Sequence, residues 1–252
     1  MLFHTKYLIY DGCMKIININ KPINQHSPEA VAMIKGQLAT NGVNCPAIIN
    51  AIATTDRSHF VPDYARDVAY IDEEIRLCAN RYLLEPLLFA QMLQYANIQK
   101  QHKVLDIGAG YGYSSSVIAQ LADQVFGIEE SAELVSAARK KLSLAGVNNV
   151  EIITAPLENG YKSHAPYDRI LINGAQTKVP VAIENQLAEG GIVVAIIAAS
   201  KIFATNKILC KITIGQKTFA TKNSPPVINY IEKQTTFAFY LKKPTENNVF
   251  KF

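Results

Sequence analysis

The stretch VLDIGAGYGYSSSVIAQ, beginning at Val104, constrains the fold more tightly than any other part of the chain. A short apolar run ends in Asp106, glycines follow at 108, 110 and 112, and a helical pattern starts at once. Each glycine costs conformational entropy on folding. Three of them between a strand and a helix imply a tight turn, or a ligand lying against bare backbone.

The pattern then alternates. KVLDI, QVFGIE, VEIIT, YDRILIN and IVVAII read as buried strands, and YSSSVIAQLA, SAELVSAARKKLSLAG and PVAIENQLAEGG as helices between them. Apolar strands alternating with helices predict a doubly wound, mostly parallel α/β sheet covered on both faces. KILCKITI and TTFAFYL, with no helical period between them, predict two antiparallel strands at the end. Upstream, SPEAVAMIKGQLATNG predicts a helix with Ser27 as N-cap, Pro28 in its first turn and a stop at Asn41 and Gly42. PAIINAIATT repeats the proline start at Pro46. EPLLFAQMLQYANI places Leu88, Met92, Tyr95 and Ala96 on one helical face, and RSHFVPDYARDVAYIDEE between these helices reads as irregular.

The chain has 252 residues, 49% of them hydrophobic, enough for a sizeable core. Three regions follow: an extension over residues 1–26, a helical, acceptor-side region over 27–100 and the α/β region over 101–252, the last two forming one compact unit. Residues 1–13 read as an extension without function, with Met14 a second candidate start. A net charge of +4 argues for solvated faces rather than nucleic acid. Cys13, Cys45, Cys78 and Cys210 lack C-x-x-C spacing, so neither a disulfide framework nor a metal site is expected; they fit reduced thiols in the cytoplasm. No apolar run approaches the length that spans a bilayer, so no membrane association is expected.

In a doubly wound sheet, ligands bind beyond the strand ends at the switch point. The glycine turn sits there with Asp106 before it, and Glu129 ends the next strand. A carboxylate in that position accepts both hydroxyls of a ribose, whereas Glu129 and Glu130 as first-turn acids would only favour the helix dipole. The G-x-G-x-G spacing departs from the dinucleotide fingerprint and disfavours a nicotinamide dehydrogenase.

These residues, VLDIGAGYGYS with VFGIEES, resemble the class I S-adenosylmethionine-dependent methyltransferases, and more narrowly the protein-L-isoaspartate O-methyltransferase family. The narrower likeness rests on Gly108-Ala109-Gly110-Tyr111-Gly112-Tyr113, on Arg57, Phe60, Val61 and Pro62, on Ala69-Tyr70, on the APYD of residues 165–168, and on Gln186, Leu187, Gly190 and Gly191. It covers residues 27–197. It implies a seven-stranded Rossmann-like sheet and S-adenosyl-L-methionine as cofactor. It assigns Asp106, Gly108, Ala109, Gly110, Gly112 and Tyr113 to the cofactor's methionine end and Glu129, with Glu130 beside it, to the ribose; adenine is left to backbone around Leu157 or to Glu158. The partner it implies is a protein or peptide substrate.

Two positions depart from the family. Leu84, in RYLLEP, stands where the family has a substrate-contacting Ser, and Pro156 stands where it has an adenine-binding Asp. The acceptor-side candidates are His59, Tyr82, Leu84 and Glu85, with Arg81 as a further polar group; equally, RYLLEP reads as a tight connection with Leu83 and Leu84 in the core. Of the other histidines, His102 and His164 read as solvent-facing. Three functions follow: methyl transfer to a protein or peptide carboxylate, methyl transfer to another acceptor, or cofactor binding without catalysis.

Overall fold

The computed structural model describes residues 27–78, 80–199, 208–219 and 226–238. The expected extension over residues 1–26, with His4, Cys13, Met14 and His26, lies outside them, as does the end of the TTFAFYL strand.

Chain entry is helical. α1 (Pro28–Met33) starts where Ser27 Oγ accepts the Ala30 N–H at 3.1 Å, and it runs on through a π turn and a 3-10 turn to Gly42, at φ +80°. α2 (Pro46–Thr54) follows, then two 3-10 turns, Arg57–Phe60 and Asp63–Val68. Sequence pattern did not reveal the next element, a hairpin of β1 (Ile75–Cys78) and β2 (Arg81–Leu83). Its strands of four and three residues are too short to show a period. α3 (Pro86–Ala96) then buries Leu88, Met92 and Ala96 as expected.

The α/β part comprises β3 (Lys103–Ile107), α4 (Tyr113–Ala119), β4 (Gln124–Glu129), α5 (Ala132–Leu144), β5 (Val150–Thr154), β6 (Tyr167–Gln176), α6 (Val181–Glu184) and β7 (Leu187–Ala198). β8 (Ile208–Phe219) and β9 (Pro226–Ala238) complete a seven-stranded sheet of order β5-β4-β3-β6-β7-β8-β9, parallel through β7 and antiparallel beyond.

The helix expected over residues 180–191 is only four residues long. Tyr167 N–H donates to Gln186 O at 2.8 Å, which draws Leu187 into register opposite Tyr167 and starts β7 early. Gln186 also accepts the Tyr161 N–H and donates to Asn159 O, pinning the connection after β5.

Alternate residues of each strand feed opposite layers. Val104, Val125, Leu171 and Val194 pack against the helices α1 to α5, whereas Leu105, Phe126, Ile170 and Val193 pack on the other face with Leu157 and Ile183. Burying each large apolar side chain contributes about 1.5–3 kcal/mol. The helical layer and the sheet therefore share one core, which runs from Met33 to Ile212. β3 lies between β4 and β6, whose connections run on opposite faces, so its carboxyl end is the switch point.

Candidate cofactor and acceptor site

The glycine turn leaves β3 with φ of +80° at Gly108, +55° at Gly110 and +92° at Gly112, a region that L side chains avoid. Gly108 and Ala109 N–H both donate to Ile128 O on β4.

Asp106 is wholly enclosed. Its Oδ2 accepts Ser114 Oγ at 2.7 Å and Ser115 Oγ at 2.5 Å, and its Oδ1 accepts Asn173 Nδ2 at 2.6 Å. Burial raises its pKa, the three donors work against that rise, and the charge of Glu129 adds to it. The resemblance sets this carboxylate against the cofactor, and its hydrogen bonds also tie α4 and β6 together beneath the turn. Gly127 permits that anchoring. A Cβ there would lie 2.5 Å from Ile152 Cδ1 and 2.8 Å from Ser115 Oγ.

Glu129 ends β4 and is also fully buried. Its Oε1 accepts Arg81 Nε at 2.8 Å and the Glu130 N–H at 2.8 Å; its Oε2 accepts the Gly110 N–H at 3.2 Å. Arg81 also reaches Glu130 Oε2 at 3.3 Å. The sequence places Arg81 on the acceptor side; the fold brings it onto Glu129 and Glu130.

A cavity of about 10 Å³ separates hairpin from turn, walled by Leu77, Tyr82, Leu84, Gly108, Gly110 and Asn173, among others. Asn173 was not singled out in the sequence, where it ends an ordinary apolar strand. Its Nδ2 donates to Asp106, which fixes the amide, and its Oδ1 is buried without a hydrogen-bond partner. An unpaired acceptor beside the glycine turn fits the α-ammonium of the cofactor's methionine end. A second cavity of about 30 Å³ is lined by Ile107, Leu157, Glu158, Ile172 and Gln176. Pro156, exposed, begins the 3-10 turn that buries Leu157 there.

The acceptor-side candidates divide. Leu84 is buried and, with the half-buried Tyr82, faces the first cavity. Arg57, with no exposed surface, fixes this segment by donating to Ala69 O and Leu84 O, both at 2.6 Å, and lies over the Tyr113 ring. Tyr70 OH accepts the Arg57 N–H and donates to Asp56 Oδ1. The Arg57 and Ala69-Tyr70 motifs thus set the position of Leu84. Tyr113 packs between Phe60 and Phe89 and reaches the cavity, whereas Tyr111 lies under Lys141. Glu85 caps α3 through its backbone and is not in the cavity wall. His59 is turned away: its Nε2 pairs with Lys141 O on α5 at 3.2 Å. His102 is half-buried, its Nδ1 accepting the Gln99 N–H, while the exposed His164 stacks on Phe126. Among the described residues, no group of three or more His, Cys, Asp or Glu could hold a metal ion.

Sheet, glycine turn and strand-end acid together place the chain in a class, the S-adenosylmethionine-dependent methyltransferases of Rossmann-like fold. A family profile, Protein-L-isoaspartate(D-aspartate) O-methyltransferase, matches residues 29–223, and the chain belongs to that family. A Protein-L-isoaspartate O-methyltransferase of Picosynechococcus sp. is 35% identical over 159 residues, which are 63% of this chain and 72% of the relative. One from Koribacter versatilis is 38% identical with the same two coverages. One from Synechococcus sp. is 36% identical over 64% of this chain and 66% of the relative. Two solved structures share the fold. A protein-L-isoaspartate O-methyltransferase superposes with a TM-score of 0.65 at 23% identity, covering 80% of this chain and 62% of the other. A Plasmodium falciparum protein assigned to the same activity, in complex with S-adenosyl-L-homocysteine, gives 0.66 at 17% identity, covering 84% and 98%.

Proposed function

We propose that the chain transfers the methyl group of S-adenosylmethionine to a carboxylate of a protein or peptide. The observation that carries this reading is the shared cavity: Tyr82 and Leu84 of the acceptor segment and the glycine turn wall the same space. In this reading the turn backbone and Asn173 Oδ1 take the methionine end, Glu129 the ribose, and the backbone near Leu157 the adenine. Asp106 positions the turn, and Glu130 keeps contact with Arg81. The bound cofactor supplies a methyl group already activated on a positive sulfonium. A carboxylate with pKa about 4 is ionised at neutral pH and needs no general base. The residues then have to align donor and acceptor and exclude water. Leu84, Tyr113 and Phe89 form an apolar wall suited to that exclusion. The two regions, 27–100 and 101–252, act as one unit through their common core, and the thiols of Cys45, Cys78 and Cys210 fit the cytoplasm.

Leu84 supports a second reading, in which the acceptor is a different one. A leucine offers no hydrogen bond to an isoaspartyl group. Incubation with labelled cofactor and an isoaspartyl peptide, followed by mass spectrometry, separates the two. A methyl ester on the peptide is expected. Label appearing only on other components of a cell extract would move the assignment to the second reading.

A further inference from the structure

Arg81 occupies the carboxylate that the cofactor needs. The Glu129 and Arg81 side chains are 0% and 10% exposed. A carboxylate has about four acceptor positions, two on each oxygen. Glu129 Oε1 already accepts Arg81 Nε and the Glu130 N–H, and Oε2 accepts the Gly110 N–H. One position is left, on Oε2. A ribose bound through both hydroxyls needs one position on each oxygen, so it and Arg81 Nε compete.

Arg81 must therefore leave Glu129 Oε1 as the ribose binds. Glu130, 31% exposed and 3.3 Å from Arg81 Nη2, can keep hold of the guanidinium, while the Gly110 and Glu130 N–H groups stay on the Glu129 carboxylate. Leu77 Cδ1 of the hairpin lies 2.6 Å from where a Gly110 Cβ would stand, and the cavity beneath is about 10 Å³. Tyr82, half-buried, lines the cavity on the same hairpin.

We propose that Arg81 is exchanged between Glu129 and the acceptor's carboxylate, so that cofactor binding presents a cation to an anionic acceptor and imposes a cofactor-first order. This inference rests on the carboxylate-acceptor reading above. Arg81 is then a specificity-determining residue.

Calorimetric titration of the full chain with S-adenosyl-L-homocysteine tests the first half. Arg81→Gln should bind about tenfold more tightly than the wild type, with Arg81→Lys in between, since lysine keeps the charge but not the planar fork. The second half is tested by adding an isoaspartyl peptide to the S-adenosyl-L-homocysteine complex. The wild-type complex should bind it, the wild type alone should not, and the Arg81→Gln complex should bind it at least tenfold more weakly. A merely structural Arg81 would weaken both ligands together, so opposite directions are the signature. Unchanged or weaker cofactor-product binding in both folded variants overturns the exchange, as does equal peptide affinity in wild-type and Arg81→Gln complexes. A wild-type complex that binds the peptide no better than its amidated counterpart overturns the carboxylate reading itself, and the exchange with it.

Discussion

Leu84 shows how much one side chain decides. It is buried against the helical layer, its carbonyl holds Arg57, and its side chain faces the cavity beside the glycine turn. Leu84→Ser should therefore act in two directions. Truncation in the core costs about 2–4 kcal/mol, which lowers Tm. A hydroxyl facing the cavity should raise turnover of an isoaspartyl peptide by about tenfold, the value of a recovered hydrogen bond. Steady-state rates and a melting curve on one preparation check both. Asp56 gives a pH-dependent counterpart. Burial alone would raise its pKa, but hydrogen bonds from Ser58 and Tyr70, with the Ser58 and His59 backbone, outweigh it and hold the carboxyl below its ordinary value. A depressed acid stabilises the fold above its unfolded pKa and loses that contribution as pH falls through the folded one. Asp56→Ala should lower Tm by about 2 °C at pH 7, as expected for a lost cap, and the difference should shrink as pH falls below the ordinary carboxylate range. The sequence showed the glycines and Glu129 because their spacing is local. It did not show Arg81 meeting Glu129 or Asn173 meeting Asp106, because pairs 48 and 67 residues apart have no local signature.

At the scale of elements, α4 and β4 depend on one another through a missing side chain. Ser115 reaches Asp106 only because Gly127 leaves room above β4. Gly127→Ala should cost about 1–3 kcal/mol by overpacking, or a Tm lower by about 3–10 °C. Gly36→Ala, on a helical segment with nothing within 4 Å of the new Cβ, should be neutral or raise stability by up to about 1 kcal/mol. Thermal melts of the pair test the packing directly. The elements themselves were largely legible. Proline starts, a serine cap and apolar alternation all carry local causes, and α1, α2, α3, α5 and the sheet strands form where those causes lie. The failures share one cause. α6 stops at Glu184 because a tertiary hydrogen bond from Tyr167 recruits Leu187 into the sheet, and the β1–β2 hairpin is held by contacts with the turn beneath it.

Across the whole molecule, the sheet order brings the end of β3 between β4 and β6, with Gly108, Gly110 and Asn173 around one cavity and Glu129 held to the Gly110 N–H behind it. The helical layer shares its core with the sheet, so the two are parts of one packed body. In the proposed function, S-adenosylmethionine binds through this turn and Glu129. Calorimetric titration of the wild type and of Glu129→Ala, each first shown to be folded by circular dichroism, tests it most directly. Losing a charge-assisted acceptor worth about 1.5–3 kcal/mol should weaken affinity about tenfold or more. An unchanged affinity in folded Glu129→Ala would contradict it.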